Sequence, residues 1–147
     1  MNKIKQCLGI LLLSLTVVSC RQKVVSPVPV DALPPIWPDY AGVTIPATIA
    51  PLNFRVTADG AEAVDVVISG KKGDPIRTSG ESVEIPAGKW SELLENNKGD
   101  SLEVKVCIRQ NGEWKAYRSF PFYISPFPID YGLVYRLLAP GYEIYSK

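Results

Sequence analysis

The stretch Leu102-Glu103-Val104-Lys105-Val106-Cys107-Ile108-Arg109-Gln110-Asn111-Gly112-Glu113-Trp114-Lys115-Ala116-Tyr117 decides the fold class. Leu102, Val104, Val106 and Ile108 alternate with Glu103, Lys105, Cys107 and Arg109. That period of two lays one face of a strand on a core and leaves the other in water. Asn111-Gly112 is the pair that tolerates positive φ at both centres of a type I′ turn, so the chain is expected to double back there. Gln110 and Glu113 leave room for a longer loop. On the return, Trp114, Ala116, Arg118 and Phe120 are expected on one face, and Lys115, Tyr117 and Ser119 on the other. Pro121 has no N–H for a ladder and marks an edge or a strand end.

Upstream of the hairpin, residues 89–97 are the one helical candidate, with Trp90, Leu93 and Leu94 at i, i+3 and i+4. Ser91 could cap that turn, and Asn97 to Gly99 supply the stop. Val83 and Ile85 are expected to point inward from another strand. Ala63–Ser69 reads as a core strand closed by Gly70-Lys71-Lys72-Gly73. Leu52, Phe54 and Val56 alternate with Asn53 and Arg55, a half-buried strand, and residues 43–49 are apolar but carry Pro46. About six strands with turn signals at this spacing suit a sandwich, and no internal repeat suggests a solenoid or propeller. The expected fold is all-β: an immunoglobulin- or fibronectin-like β-sandwich with one short helix, over residues 36–125.

The start of the chain is an address. Lys3 and Lys5 precede an apolar run at residues 8–18, the charged-then-apolar order of a secretory signal. The run is too short for a bilayer, which needs about 20 residues. Leu15-Thr16-Val17-Val18-Ser19-Cys20 then puts a cysteine where bacterial lipoproteins are cut and lipidated. Residues 1–19 are expected to be a lipoprotein signal peptide, and Cys20 the lipidation site. Residues 20–35, with Pro27, Pro29, Pro34 and Pro35, read as an extended Pro-rich tether. The expected membrane link is lipid on Cys20, by more than one acyl chain because one alone binds marginally. Arg21 in place of an acidic residue points to the outer membrane of a bacterial envelope, by resemblance to known sorting habits.

Composition narrows the chemistry. Losing Lys3 and Lys5 with the signal leaves 14 basic against 15 acidic side chains. That balance offers no basic face for nucleic acid and no polybasic membrane patch. The chain has no histidine, which removes the commonest general base, metal ligand and partner of a catalytic Ser or Cys. Asp39, Asp59, Asp65 and Asp130 show no meaningful paired spacing, and acids near Gly or Pro usually serve turns. No enzyme, cofactor or metal is expected. Cys107 is the cysteine left once Cys7 departs and Cys20 is acylated, and it reads as a buried structural thiol.

Residues 126–147 change character, becoming aromatic and turn-rich. Tyr131, Tyr135, Arg136, Tyr142 and Tyr145 are the candidate binding residues, because interfaces favour Tyr and Arg. The alternative use of this segment is to cover one end of the sandwich.

Two segments carry a resemblance. Ile36-Trp37-Pro38-Asp39-Tyr40, continuing through Val43-Thr44-Ile45-Pro46 and Ile49-Ala50-Pro51-Leu52-Asn53-Phe54, is one. Tyr135-Arg136-Leu137-Leu138-Ala139-Pro140-Gly141-Tyr142-Glu143 is the other. Both resemble large lipoproteins of Bacteroides-type bacteria described as TolB-like or cytochrome c biogenesis-like. The resemblance implies a leading sandwich module, followed in that family by a Cys-x-x-Cys-His haem motif and a β-propeller. Neither motif stands in this sequence, so no haem or propeller function carries over, and the chain is expected to be an early-ending front module. The favoured function is therefore a non-enzymatic, membrane-tethered envelope lipoprotein that docks or supports another envelope protein or downstream domain. The alternative is a stand-alone carbohydrate- or peptide-binding lipoprotein using Trp37, Trp90 and Trp114 as stacking platforms.

Overall fold

The computed structural model describes residues 23–127. The signal peptide, Cys20 and the candidate binding residues Tyr131, Tyr135, Arg136, Tyr142 and Tyr145 lie outside the described residues. Among the described residues ten strands and one helix follow in chain order: β1 (Val28–Val30), β2 (Ile36–Trp37), β3 (Thr44–Pro46), β4 (Phe54–Val56), β5 (Ala63–Ser69), β6 (Ile76–Ser79) and β7 (Ser82–Val83), then α1 (Ala87–Asn96), β8 (Ser101–Gln110), β9 (Glu113–Tyr117) and β10 (Phe120–Ser125).

Central to the larger sheet is β8, the strand with the longest alternating run. Its one edge pairs antiparallel with β5, which pairs with β6. Along its other edge β9 and β10 lie end to end, and each carries a short parallel strand beyond it, β1 on β9 and β3 on β10. A second sheet has the order β2-β4-β7. Val64, Val66 and Ile68 of β5, Leu102, Val104, Val106 and Ile108 of β8, Phe54 and Val56 of β4, and Trp90, Leu93 and Leu94 of α1 join one buried core. Each fully buried aliphatic side chain contributes about 1.5–3 kcal/mol relative to exposure. The architecture is mostly β and sandwich-like, with one short helix.

The hairpin closes with two residues, tighter than the loop the sequence left room for. Gln110 pairs with Glu113, and Asn111 and Gly112 have φ of 52° and 77°. Positive φ at both centres is what type I′ geometry demands.

The return strand departs from a straight alternation. Cys107 faces Ala116 and Arg109 faces Trp114, whereas further along Val104 faces Phe120 and Leu102 faces Phe122. Three residues, Tyr117, Arg118 and Ser119, thus span the interval that two residues span on β8, a β-bulge. One extra residue reverses which parity points inward. Trp114 and Ala116 share the outer face with Cys107 and Arg109, and Tyr117 packs against the core. Past the bulge Phe120, Phe122 and Ile124 enter the core. The expectation that Trp114 and Phe120 share a face is therefore corrected. Pro121 fits because its position opens toward the gap between β1 and β3, where only its carbonyl is used, accepting from the Gly42 N–H.

Helix α1 starts two residues earlier than expected. Pro86 is its N-cap, no side chain caps it, and Ser91 lies exposed within the helix. Its stop is more elaborate. The Asn97 side chain is buried; its Nδ2 donates to the carbonyls of Leu93 and Lys72, and its Oδ1 accepts from the Lys72 N–H. A Cβ on Gly70 would lie 2.4–2.6 Å from that amide, so glycine there makes room for the latch.

The upstream Pro-rich segment remains extended, but only part of it stands clear of the sheet. Val28–Val30 pairs with β9, Pro34 is buried, and the Thr57 N–H donates to the Pro35 carbonyl. Prolines at alternate positions 27 and 29 leave the N–H groups of Val28 and Val30 for a ladder, which one strand edge suffices to satisfy.

Candidate functional site

The three tryptophans proposed as stacking platforms occupy three different settings. Trp90 is 1 % exposed, packs edge-on against Phe122 with centroids 6.1 Å apart, and donates its indole N–H to the Ile49 carbonyl. Such a ring is core. Trp114 is buried on the outer face of the larger sheet, beside a shallow hollow that it shares with Lys23, Val25, Ser26 and Arg109. Trp37 alone of the three presents its ring to solvent, at 67 % exposure.

Strand pairing explains that exposure. Ile36 sits opposite Val56, which is buried, so the next residue, Trp37, must point the other way, opposite Arg55. Arg55 in turn faces Ser82 of β7, and both are exposed. Cross-strand neighbours of this kind hold their Cβ atoms about 4.5–5.5 Å apart. The Trp37–Pro38 peptide bond is cis.

A groove of about 480 Å³ opens here, lined by Trp37, Arg55, Thr57, Asp59, Gly60 and Glu81, among others. Hydrogen bonds to backbone carbonyls fix its walls: the Val56 N–H donates to the Glu81 carbonyl at 2.8 Å, and the Gln110 side-chain Nε2 donates to the Asp59 carbonyl at 2.8 Å. The side chains of Arg55, Thr57, Asp59 and Glu81 make no hydrogen bond or ion pair among the described residues. Some surface charges elsewhere are paired. Lys71 hydrogen-bonds the Asp100 carboxylate and holds its pKa below the ordinary value, helped by the Ser101 N–H. Glu103 is lowered in the same way by Lys105 and then by the Ser119 hydroxyl.

Cys107 is half-buried on the outer face of β8, opposite Asp65. Burial, and secondarily the Asp65 charge, push its thiol pKa up, the reverse of what a nucleophile needs. Of the four acids singled out in the sequence, Asp59 lies in the Trp37 groove, Asp65 beside Cys107, and Asp39 accepts a turn hydrogen bond from the Ala41 N–H. Asp130 lies outside the described residues. No group of three potential metal-ligating His, Cys, Asp or Glu side chains occurs among the described residues. No helix among them is long and apolar enough to cross a membrane.

Sequence reasoning named Trp37 and, separately, Asp59, but did not bring them together or name Arg55, Thr57 and Glu81 as site residues. Arg55 and Glu81 are separated by 26 positions and become neighbours only through the β2-β4-β7 ladder. The available signal was Arg55 at an outward position between Phe54 and Val56. No family model, curated protein or solved structure matches the chain.

Proposed function

We propose that this chain is a non-enzymatic envelope lipoprotein anchored through lipid on Cys20, whose domain supports what is attached beyond it at a distance from the membrane. The domain is read as an immunoglobulin- or fibronectin-like sandwich. Supporting that reading, a three-stranded β2-β4-β7 sheet faces a sheet whose breadth runs β6-β5-β8 and then β9 with β10. The chain changes sheet at every connection from β1 to β5, between β6 and β7, and again through α1. Such crossings give a two-sheet sandwich its Greek-key connections.

The observation carrying the function is where the chain enters and leaves. Val28 lies abreast of Lys115, near the Asn111-Gly112 turn, while Ser125 lies abreast of Pro46 at the other end of the same strand line. From Lys115 to Ser125 the backbone advances about 30 Å. The described chain thus leaves the domain, at Phe127, at the end remote from Val28. Cys20 is eight steps from Val28, at most about 28 Å of chain. The turn end is therefore the membrane-proximal end.

Two measurements test this. Intact mass of the membrane-fraction product should show loss of residues 1–19 and added acyl chains, both abolished by Cys20→Ser. With Cys107→Ser as background, a fluorophore at Asn111→Cys should transfer energy to a bilayer-surface acceptor more strongly than one at Phe127→Cys. Equal transfer from both ends would remove the support reading; an unacylated membrane product would remove the anchor.

A further inference from the structure

We infer that the groove beside Trp37 is a saccharide-binding site, taking the ring of a neutral pyranose oligosaccharide. A pyranose has an apolar face of C–H groups and a rim of hydroxyls. It is therefore recognised by a flat, exposed aromatic ring with uncommitted donors and acceptors around it. The groove supplies both. The indole of Trp37 is 67 % exposed, and Arg55, Thr57, Asp59 and Glu81 line the same space without partners among the described residues. The planar forks of a guanidinium and a carboxylate each match a pair of neighbouring hydroxyls. At about 480 Å³ the groove falls within the range of small-molecule sites, about 300–1,000 Å³.

Charge and desolvation select among occupants. One cation against two carboxylates disfavours phosphorylated or uronic-acid glycans. An apolar peptide segment would strand four polar side chains away from water, at a cost that only hydrogen-bonding partners offset. A neutral sugar meets both conditions, because its hydroxyls donate to Asp59 and Glu81 and accept from Arg55. The walls are already held by the Glu81 and Asp59 backbone carbonyls, so little ordering remains to be done on binding.

The test uses the full chain in detergent, with maltohexaose, cellohexaose, laminarihexaose and chitohexaose as probes, read by calorimetry and tryptophan emission. At least one should bind with Kd of about 1 mM or tighter and shift the emission to the blue. Trp37→Ala, an exposed position whose loss should leave the circular dichroism unchanged, is expected to weaken binding at least about tenfold. Arg55→Gln and Glu81→Gln should each weaken it severalfold, whereas Trp114→Phe keeps both affinity and shift. Three results overturn the inference: failure of all four probes at about 10 mM, affinity that survives Trp37→Ala, or binding confined to anionic glycans or peptides. Cys20→Ser leaves this outcome unchanged, which separates it from the anchor and support reading.

Discussion

The two halves of the strand returning from the hairpin, Glu113–Tyr117 and Phe120–Ser125, lie along the same edge of β8 and yet build opposite things. The downstream half sends Phe120, Phe122 and Ile124 into the core, where Phe122 meets both Phe120 and Trp90 edge-on. The upstream half sends Trp114 to the outer face, although it too carries a three-residue parallel strand, β1. Their local sequences are similar, each with an aromatic residue at even-numbered positions. One additional residue at 117–119 separates the two behaviours, so the placement of a side chain here is a property of the count as much as of its hydrophobicity.

The most severe way to break this difference is to remove the extra residue. Deleting Arg118 should put Phe120, Phe122 and Ile124 on the outer face or force the hairpin out of register. Each lost burial costs about 1.5–3 kcal/mol, and together they consume most of a typical domain's 5–15 kcal/mol. No cooperative melt is expected. Arg118→Ala is the control, since the side chain makes only an exposed contact with Asp31 at 3.4 Å, and it should be nearly neutral. A deletion variant melting within a few degrees of the parent would show that the bulge carries no register information. Phe122→Ala, which keeps the register and empties the core site, should cost about 3–5 kcal/mol by urea denaturation.

The downstream half also depends on α1 for cover, and the end of α1 is fixed by Asn97. Asn97→Ala leaves the Lys72 N–H and the Lys72 and Leu93 carbonyls without that partner, for an expected loss of about 2–3 kcal/mol. Asn97→Asp should be no better, because a carboxylate cannot donate to the two carbonyls. Trp114→Ala should cost less, about 1–2 kcal/mol, since the outer-face site is open enough to collapse or hydrate. If the Trp114 and Phe122 losses proved equal, the two halves would be energetically alike and the contrast would be one of position only.

How much of this was readable depends on the range of the signal. The hairpin, the strand at Ala63–Ser69 and the face of Trp90, Leu93 and Leu94 all rest on period and turn chemistry within a dozen residues, and they stand in the structure. The bulge was not legible, because Trp114 to Phe120 satisfies the alternating pattern on paper. Edge pairing of Val28–Val30 was hidden by the prolines around it, which read as a tether unless their alternation is noticed. The Trp37 groove is long-range by construction, since Trp37 of β2, Arg55 of β4 and Glu81 just before β7 come from three separate parts of the chain. A cysteine expected to be buried is in fact half-buried, because its parity places it on the outer face.

That outer face sets the smallest and most specific prediction. Cys107 sits between Asp65 on one side and Ala116 on the other, at the level of the upstream half. Burial first, and the Asp65 carboxylate second, disfavour its thiolate and raise the pKa above the ordinary 9.0. A maleimide at about pH 8 should therefore react more slowly than with a free cysteine thiol, and the rate should climb only at more alkaline pH. The raised pKa also fixes the sign of the linkage. The folded protein holds this proton more tightly than the unfolded chain, so the contribution to stability is present below the unfolded pKa and is lost as pH rises through the folded one. Asp65→Asn should move the labelling profile back toward neutral pH. A labelling rate equal to that of free cysteine would mean the upstream half opens readily. Trp114 and β1 would then be a covering flap, in contrast to the fixed core beneath Phe122.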